Sequence, residues 1–194
     1  MPVNAYGETK LAIERALLHY GTAYGLRSVS LRYFNAAGAD VSGTIGEDHD
    51  PEVHLIPRAL AAAGGGTLEI FGGDYPTRDG TCERDYVHVS DLADAHVLAL
   101  RRIADLQGSS TYNLGNGQGY SVKDVVASVE RVTGKSVRQR VSARRLGDPP
   151  TLLAASKRAR SELGWVPRFE ELDTIVETAW KWHSAHPTGY RSQE

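Results

Sequence analysis

Cysteine is nearly absent. Cys82 stands alone among 194 residues, so no disulfide can close within the chain, and a reducing, cytoplasmic setting is expected. No apolar run approaches the roughly 20 residues that span a bilayer as a helix, so no membrane partner is expected. Excess charge of one sign is lacking too: the formal net charge is −2, which gives no reason to expect a nucleic-acid partner. The seven histidines show no metal-ligand spacing along the chain, so no metal is expected. The opening Met-Pro-Val-Asn-Ala-Tyr has neither a basic nor an apolar stretch and does not read as a signal peptide. Repeats, low-complexity tracts and linkers are missing as well. What is present is ordinary for a globular chain, 41% hydrophobic and 24% charged residues, long enough for a domain with its own core.

Hydrophobic periodicity and punctuation predict alternating elements. Leu11, Ala12, Leu17 and Leu18 give an apolar face to a helix over 7–24, which Gly25 stops. Val29, Leu31 and Tyr33 alternate in a strand over 28–34. A polar loop is expected over 35–51, a helix over 55–63 ended by three glycines, and a short strand over 68–71. A strand over 86–89 leads to a helix capped by Ser90 and reaching Leu106. A strand over 111–114, a glycine-rich turn and a helix opened by Ser121 follow, with Asp124 placed three residues on as in a capping box. Residues 137–141 read as extended, 156–163 as a short helix and 172–186 as the last helix. Strands alternating with helices give an α/β class.

Gly115-Asn116-Gly117-Gln118-Gly119 lies between a strand and a helix, where a dinucleotide-binding loop would lie. The fingerprint G-x-G-x-x-G needs its third glycine at position 120, which is Tyr120. The run is therefore expected to be a tight turn and no pyrophosphate cradle.

Tyr6 and Lys10 stand four residues apart on one helix, which puts them on the same face. A nearby ammonium favours a phenolate, so the pair can serve proton transfer; as a bare spacing it is equally a surface helix pair. Arg84 and Arg145 suit a dianionic diphosphate, and Asp148 suits paired hydroxyls. The plainer reading of Arg84 is an ion pair with Glu83 or Asp85, worth about 1 kcal/mol or less if exposed. For Phe71 the plainer reading is core packing.

Longer stretches add context. Asn4-Ala5-Tyr6-Gly7-Glu8-Thr9-Lys10-Leu11 resembles the N-P-Y-G-x-S/T-K-L stretch of the extended short-chain dehydrogenase/reductases, and Leu31 to Ala39 follows at that family's spacing. The blocks Ile70 to Thr81 and Arg84 to Val89, with Tyr112 to Gly115, Arg145 to Pro149 and Trp180 to Trp182, resemble the UDP-galactose 4-epimerases in particular. That resemblance covers essentially the whole chain.

It implies NAD as cofactor and interconversion of UDP-galactose and UDP-glucose through a 4-keto sugar. Tyr6 matches the catalytic acid and base. Lys10 matches the lysine on the nicotinamide ribose, and Phe34 a residue beside the nicotinamide. Asn35, His54 and Leu55 match nucleotide-sugar contacts, His54 standing where several members carry Asn. Glu69 and Phe71 match the strand that holds the uracil, while Arg84, Arg145 and Asp148 match diphosphate and ribose ligands. Leu152 matches the wall beside the sugar's 2-substituent.

By the same resemblance the fold is the C-terminal part of a Rossmann-like parallel-sheet domain plus a smaller mixed α/β substrate domain. Residues 1–40 belong to the first, and 41–194 mainly to the second. The N-terminal NAD-binding unit is missing, a homodimer through the first helix is implied, and activity of the chain alone is doubtful. Another NAD-dependent nucleotide-sugar epimerase or dehydratase, or a non-catalytic nucleotide-sugar-binding fragment, are the alternatives.

Overall fold

The computed structural model of the chain describes residue 2 and residues 4–190. α1 (Ala5–Tyr24) opens at Asn4, whose side-chain oxygen accepts the Gly7 N–H at 2.9 Å. That bond satisfies one of the donors a helix start leaves unpaired. Gly25 closes the helix, and no residue of α1 is buried.

β1 (Ser28–Tyr33) pairs in parallel with β6 (Ser109–Leu114), Ser28 opposite Ser109 and Tyr33 opposite Leu114. Residues 35–37, expected to begin a loop, form β2 (Asn35–Ala37) in parallel with β5 (Tyr86–His88). The reason is tertiary. The Asn35 main-chain N–H donates to the Asp85 carbonyl at 3.1 Å, and its side-chain amide donates to the same oxygen at 2.8 Å.

α2 (Leu55–Ala63) leads to β3 (Leu68–Phe71), which pairs in parallel with β8 (Gln139–Ser142). β4 (Glu83–Arg84) lies between β7 (Tyr120–Ser121) and β9 (Thr151–Leu152), antiparallel to the first and parallel to the second. α3 (Val89–Ile103) starts two residues earlier than a cap at Ser90 suggests and ends before Leu106. Its cap is His88, not Ser90: His88 Nδ1 accepts the Ser90 N–H at 3.1 Å. α4 (Val122–Thr133) carries the expected capping box, the Asp124 N–H reaching Ser121 Oγ at 3.0 Å and the Ser121 N–H reaching Asp124 Oδ2 at 2.9 Å. α5 (Lys157–Leu163) and α6 (Leu172–Ala185) complete the chain.

Two apolar cores result. Ile56, Leu60, Ile70, Val129 and Ile175 join α2, α4 and α6 to β3. Val87, Leu92, Tyr112, Leu114 and Trp165 join α3 and α5 to β5 and β6. Trp165 is wholly buried and donates its indole N–H to the Asp91 carbonyl at 2.8 Å, so the large ring enters the core with its polar group paired.

Candidate active site

A cavity of about 810 Å³ opens where α1, the end of β1, β2 and the 40–54 segment meet. Tyr6, Phe34, Asn35, His54 and Leu55 line it, five residues from three separate stretches of sequence. Tyr6 is 71% exposed, because the first turn of α1 presents it to the opening. Lys10, one turn on, holds its ammonium 5.1 Å from the centre of the Tyr6 ring. Tyr33, Tyr86, Glu47 and His49 also line the cavity and were not singled out as cavity residues from sequence.

The remaining sequence candidates gather in a second group. The guanidinium of Arg145 lies 3.8 Å from the Phe71 ring centroid, a cation–π contact across the edge of β3. Arg84 NH2 pairs with Asp148 Oδ1 at 3.0 Å, and Arg84 NH1 donates to the Glu83 carbonyl at 2.8 Å. The ion pair expected with the Glu83 or Asp85 carboxylate therefore forms instead with Asp148, 64 positions away. Leu152 stands opposite Arg84 in the β4–β9 register. Glu69, two residues before Phe71, accepts the Ser142 hydroxyl at 2.5 Å. That hydroxyl first, and Arg140 after it, hold the Glu69 carboxyl below its ordinary range despite an opposing effect of burial.

Asp85 joins the two groups. Its carbonyl is clamped by Asn35 at the cavity, and it follows Arg84 in the chain. Its side chain is wholly buried and accepts the N–H groups of Asn116 at 2.9 Å, Gly117 at 2.9 Å and Ala154 at 3.1 Å. Burial pushes its carboxyl pKa up, and the three amides only partly offset that. The glycine-rich turn is thus already filled by an internal carboxylate. A Cβ on Gly115 would come within 2.5 Å of Asp85 Oδ2 and 2.2 Å of the Ala154 Cβ. The turn is no pyrophosphate cradle, as its spacing suggested. The signal for Asp85 lies inside the Arg84 to Val89 block that carries the family resemblance.

Residues spread along the 40–54 segment meet in three dimensions. Glu47, His49, Glu52 and His54 each bring one ligand-type atom to a common point, all within 4.8 Å of one another. The histidines are not all scattered, because the 40–54 segment folds back on itself.

The donor set fits one end of a nicotinamide dinucleotide. Tyr6 and Phe34 share the cavity wall with Lys10 one turn away, whereas the glycine-rich turn between β6 and β7 is taken up by Asp85.

A family model described as "NAD dependent epimerase/dehydratase family" matches residues 1–115. A UDP-glucose 4-epimerase of Halalkalibacterium halodurans is 52% identical over 100% of this chain and 58% of its own length. A crystal structure of UDP-glucose 4-epimerase from Brucella ovis in complex with NAD superposes with a TM-score of 0.87 at 52% identity, covering 93% of this chain and 56% of that one. The Bifidobacterium longum enzyme in complex with NAD+ and UDP gives a TM-score of 0.91 at 37% identity, covering 96% and 56%. The chain therefore spans little more than half the length of the proteins it matches. That extent does not itself support the C-terminal placement expected from the motifs. No helix among the described residues is long and apolar enough to cross a membrane.

Proposed function

The chain belongs to the NAD dependent epimerase/dehydratase family, and from that premise we propose that it carries the proton-transfer and nucleotide-sugar side of an enzyme interconverting UDP-galactose and UDP-glucose. The observation behind this reading is the convergence of Tyr6, Phe34, Asn35, His54 and Leu55 on one cavity, with Lys10 against the Tyr6 ring. Residues 1–40 then belong to the dinucleotide side and 41–194 mainly to the sugar side.

Tyr6 takes the proton of the sugar 4-hydroxyl and later returns it. Lys10, one turn on, would hold the nicotinamide ribose, with Phe34 beside the ring. Hydride uptake and return are what NAD supplies when bound. Arg84 and Arg145 hold the diphosphate through charge-assisted bonds, and Asp148 accepts from the ribose hydroxyls. Phe71 and the main chain around Glu69 hold the uracil; His54, Leu55 and Asn35 line the path to the sugar, and Leu152 bounds its 2-substituent. Grip on the nucleotide rather than on the hexose leaves the sugar able to turn over between proton removal and return. The unburied α1 is the surface through which a second copy would pair.

The test is a chimaera in which residues 1–194 replace the matching segment of the Halalkalibacterium halodurans relative. It is expected to epimerise UDP-galactose. Tyr6→Phe in that chimaera is expected to lower turnover by at least ~10²-fold, as the loss of a general acid and base does. Turnover within a few fold of the parent chimaera would remove Tyr6 from its role.

A further inference from the structure

We propose that Glu47, His49, Glu52 and His54 form a binding site for a divalent transition metal, with zinc the best fit. The inference goes beyond the epimerase reading, which uses no metal, and does not depend on it.

The convergence is atom-specific. His49 and His54 both turn the same ring nitrogen, Nδ1, toward Glu47 Oε1, the first at 2.9 Å and the second in direct contact. The same two nitrogens lie 3.9 and 3.7 Å from Glu52 Oε1. Two imidazoles and two carboxylates thus offer one atom each to one small volume. Ligands at 2.0–2.2 Å from a tetrahedral zinc are separated from one another by about 3.3–3.6 Å. The distances 2.9, 3.7 and 3.9 Å bracket that edge, while the His54–Glu47 contact is shorter and must open to admit an ion.

The donor set selects the metal. Two imidazole nitrogens with two carboxylate oxygens suit zinc and its neighbours, whereas magnesium and calcium favour oxygen alone. Charge agrees: two carboxylates and two neutral imidazoles carry −2, which a dication neutralises.

Much of the scaffold is held by groups other than the four side chains, although Glu52 Oε1 also accepts the Val53 and His54 N–H groups at 2.7 Å. The Trp182 indole N–H donates to the Glu47 carbonyl at 3.1 Å, and the Gly46 N–H donates to the Tyr190 hydroxyl at 3.0 Å. The Tyr190 N–H donates to Asp48 Oδ2 at 2.9 Å, and Lys181 Nζ to the Val41 carbonyl at 2.7 Å. Gly46 lies so close to α6 that a Cβ there would come within 2.1 Å of the Trp182 ring. α6 and the turn after it therefore fix the backbone of the segment before any ligand binds. Glu47, His49 and His54 also line the cavity, so a metal here would tie down the wall of that opening.

The experiment titrates the tag-free 194-residue chain with chelator-buffered Zn²⁺ at pH 7.5 in a calorimeter, with Mg²⁺ as comparator. Cobalt is added separately to read its visible absorption. One equivalent of Zn²⁺ should bind, unaffected by millimolar Mg²⁺, and cobalt should show the strong visible bands of a four-coordinate N/O site. His49→Gln and Glu52→Gln, one at a time, should each weaken zinc at least about tenfold with far-ultraviolet circular dichroism unchanged. No saturable zinc binding would overturn the proposal. So would unchanged affinity in the His49→Gln/Glu52→Gln double variant, which would put the metal elsewhere on the chain.

Discussion

Asp85 shows how much can rest on a single side chain. Its carboxylate is the common acceptor for three amides from two segments, 31 to 69 positions away in sequence. Asp85→Ala leaves all three donors buried and unpaired, at about 1–3 kcal/mol each. A loss of at least about 3 kcal/mol is therefore expected, read as a fall in the denaturant midpoint. Asp85→Asn keeps one acceptor oxygen and should cost roughly half as much. His88 makes the complementary case. It is wholly buried, stacked on Phe169 with ring centroids 4.2 Å apart, and its Nε2 lies 2.9 Å from the Thr178 hydroxyl. Nδ1 accepts from Ser90, so Nε2 carries the proton and the ring is neutral. Burial is the first cause that holds its pKa below the ordinary 6.5, and His183 is shifted the same way. Below 6.5 the unfolded chain binds a proton that the folded chain refuses, so stability is present above 6.5 and falls as pH drops toward the depressed folded value. A falling melting temperature from pH 7 to 5.5 is expected, starting before the carboxylates titrate. His88→Asn, which keeps a helix-cap acceptor, should flatten part of that slope. Neither role was legible in the sequence. Asp85 follows two charged residues and looks like a surface position, and its three amide partners, like the Thr178 partner of His88, are far away along the chain. Tyr6 and Lys10 were legible because their relation is local to one helix.

At the scale of elements, legibility follows the range of the interactions that make each one. α2, β3 and α4 stand where periodicity and capping chemistry put them. Their signals lie within a few residues: three glycines after Ala63, and Ser121 with Asp124. β2, β4, β7 and β9 are two or three residues long, too short to show a period of two, and exist through pairing with distant partners. The same distinction sorts the site. The cavity residues were legible by resemblance to long motifs, whereas the Glu47–His54 cluster needs the segment to fold back. The Ser121 box allows a direct test. Ser121→Ala removes the acceptor for the Asp124 N–H and leaves Asp124 bonded to Arg78 at 2.6 Å on the exposed side. A loss of about 1 kcal/mol, with fraying confined to the first turn of α4 in amide exchange, is expected. A larger loss would mean that Ser121 is held mainly for its contact with Asp79.

At the scale of the whole molecule, the two cores have unequal cover. The α2–α4–α6 core is closed by helices and β3, while β1 has β6 as its one strand partner among the described residues. α1, lying against β1 and β6, buries none of its own residues, and Ile13, Leu18, Tyr20 and Tyr24 stay exposed on it. Apolar surface left open in this way favours association with whatever can cover it. The cofactor is in the same position. Under the proposed reading Tyr6, Lys10 and Phe34 would address the nicotinamide end, but nothing among the described residues pairs a glycine-rich turn with a helix N-terminus left open to a pyrophosphate. The one turn of that kind has given its amides to Asp85. With no pyrophosphate cradle among the described residues, the nicotinamide contacts alone are expected not to retain NAD through purification. The 194-residue chain by itself is therefore expected to leave a sizing column as self-associated species with no cofactor absorbance and with weak UDP binding. Added NAD and UDP-galactose should give no sustained turnover. Turnover above about 1 s⁻¹, the low end for ordinary enzymes, would mean that this chain holds the whole cofactor through contacts other than those at Tyr6, Lys10 and Phe34.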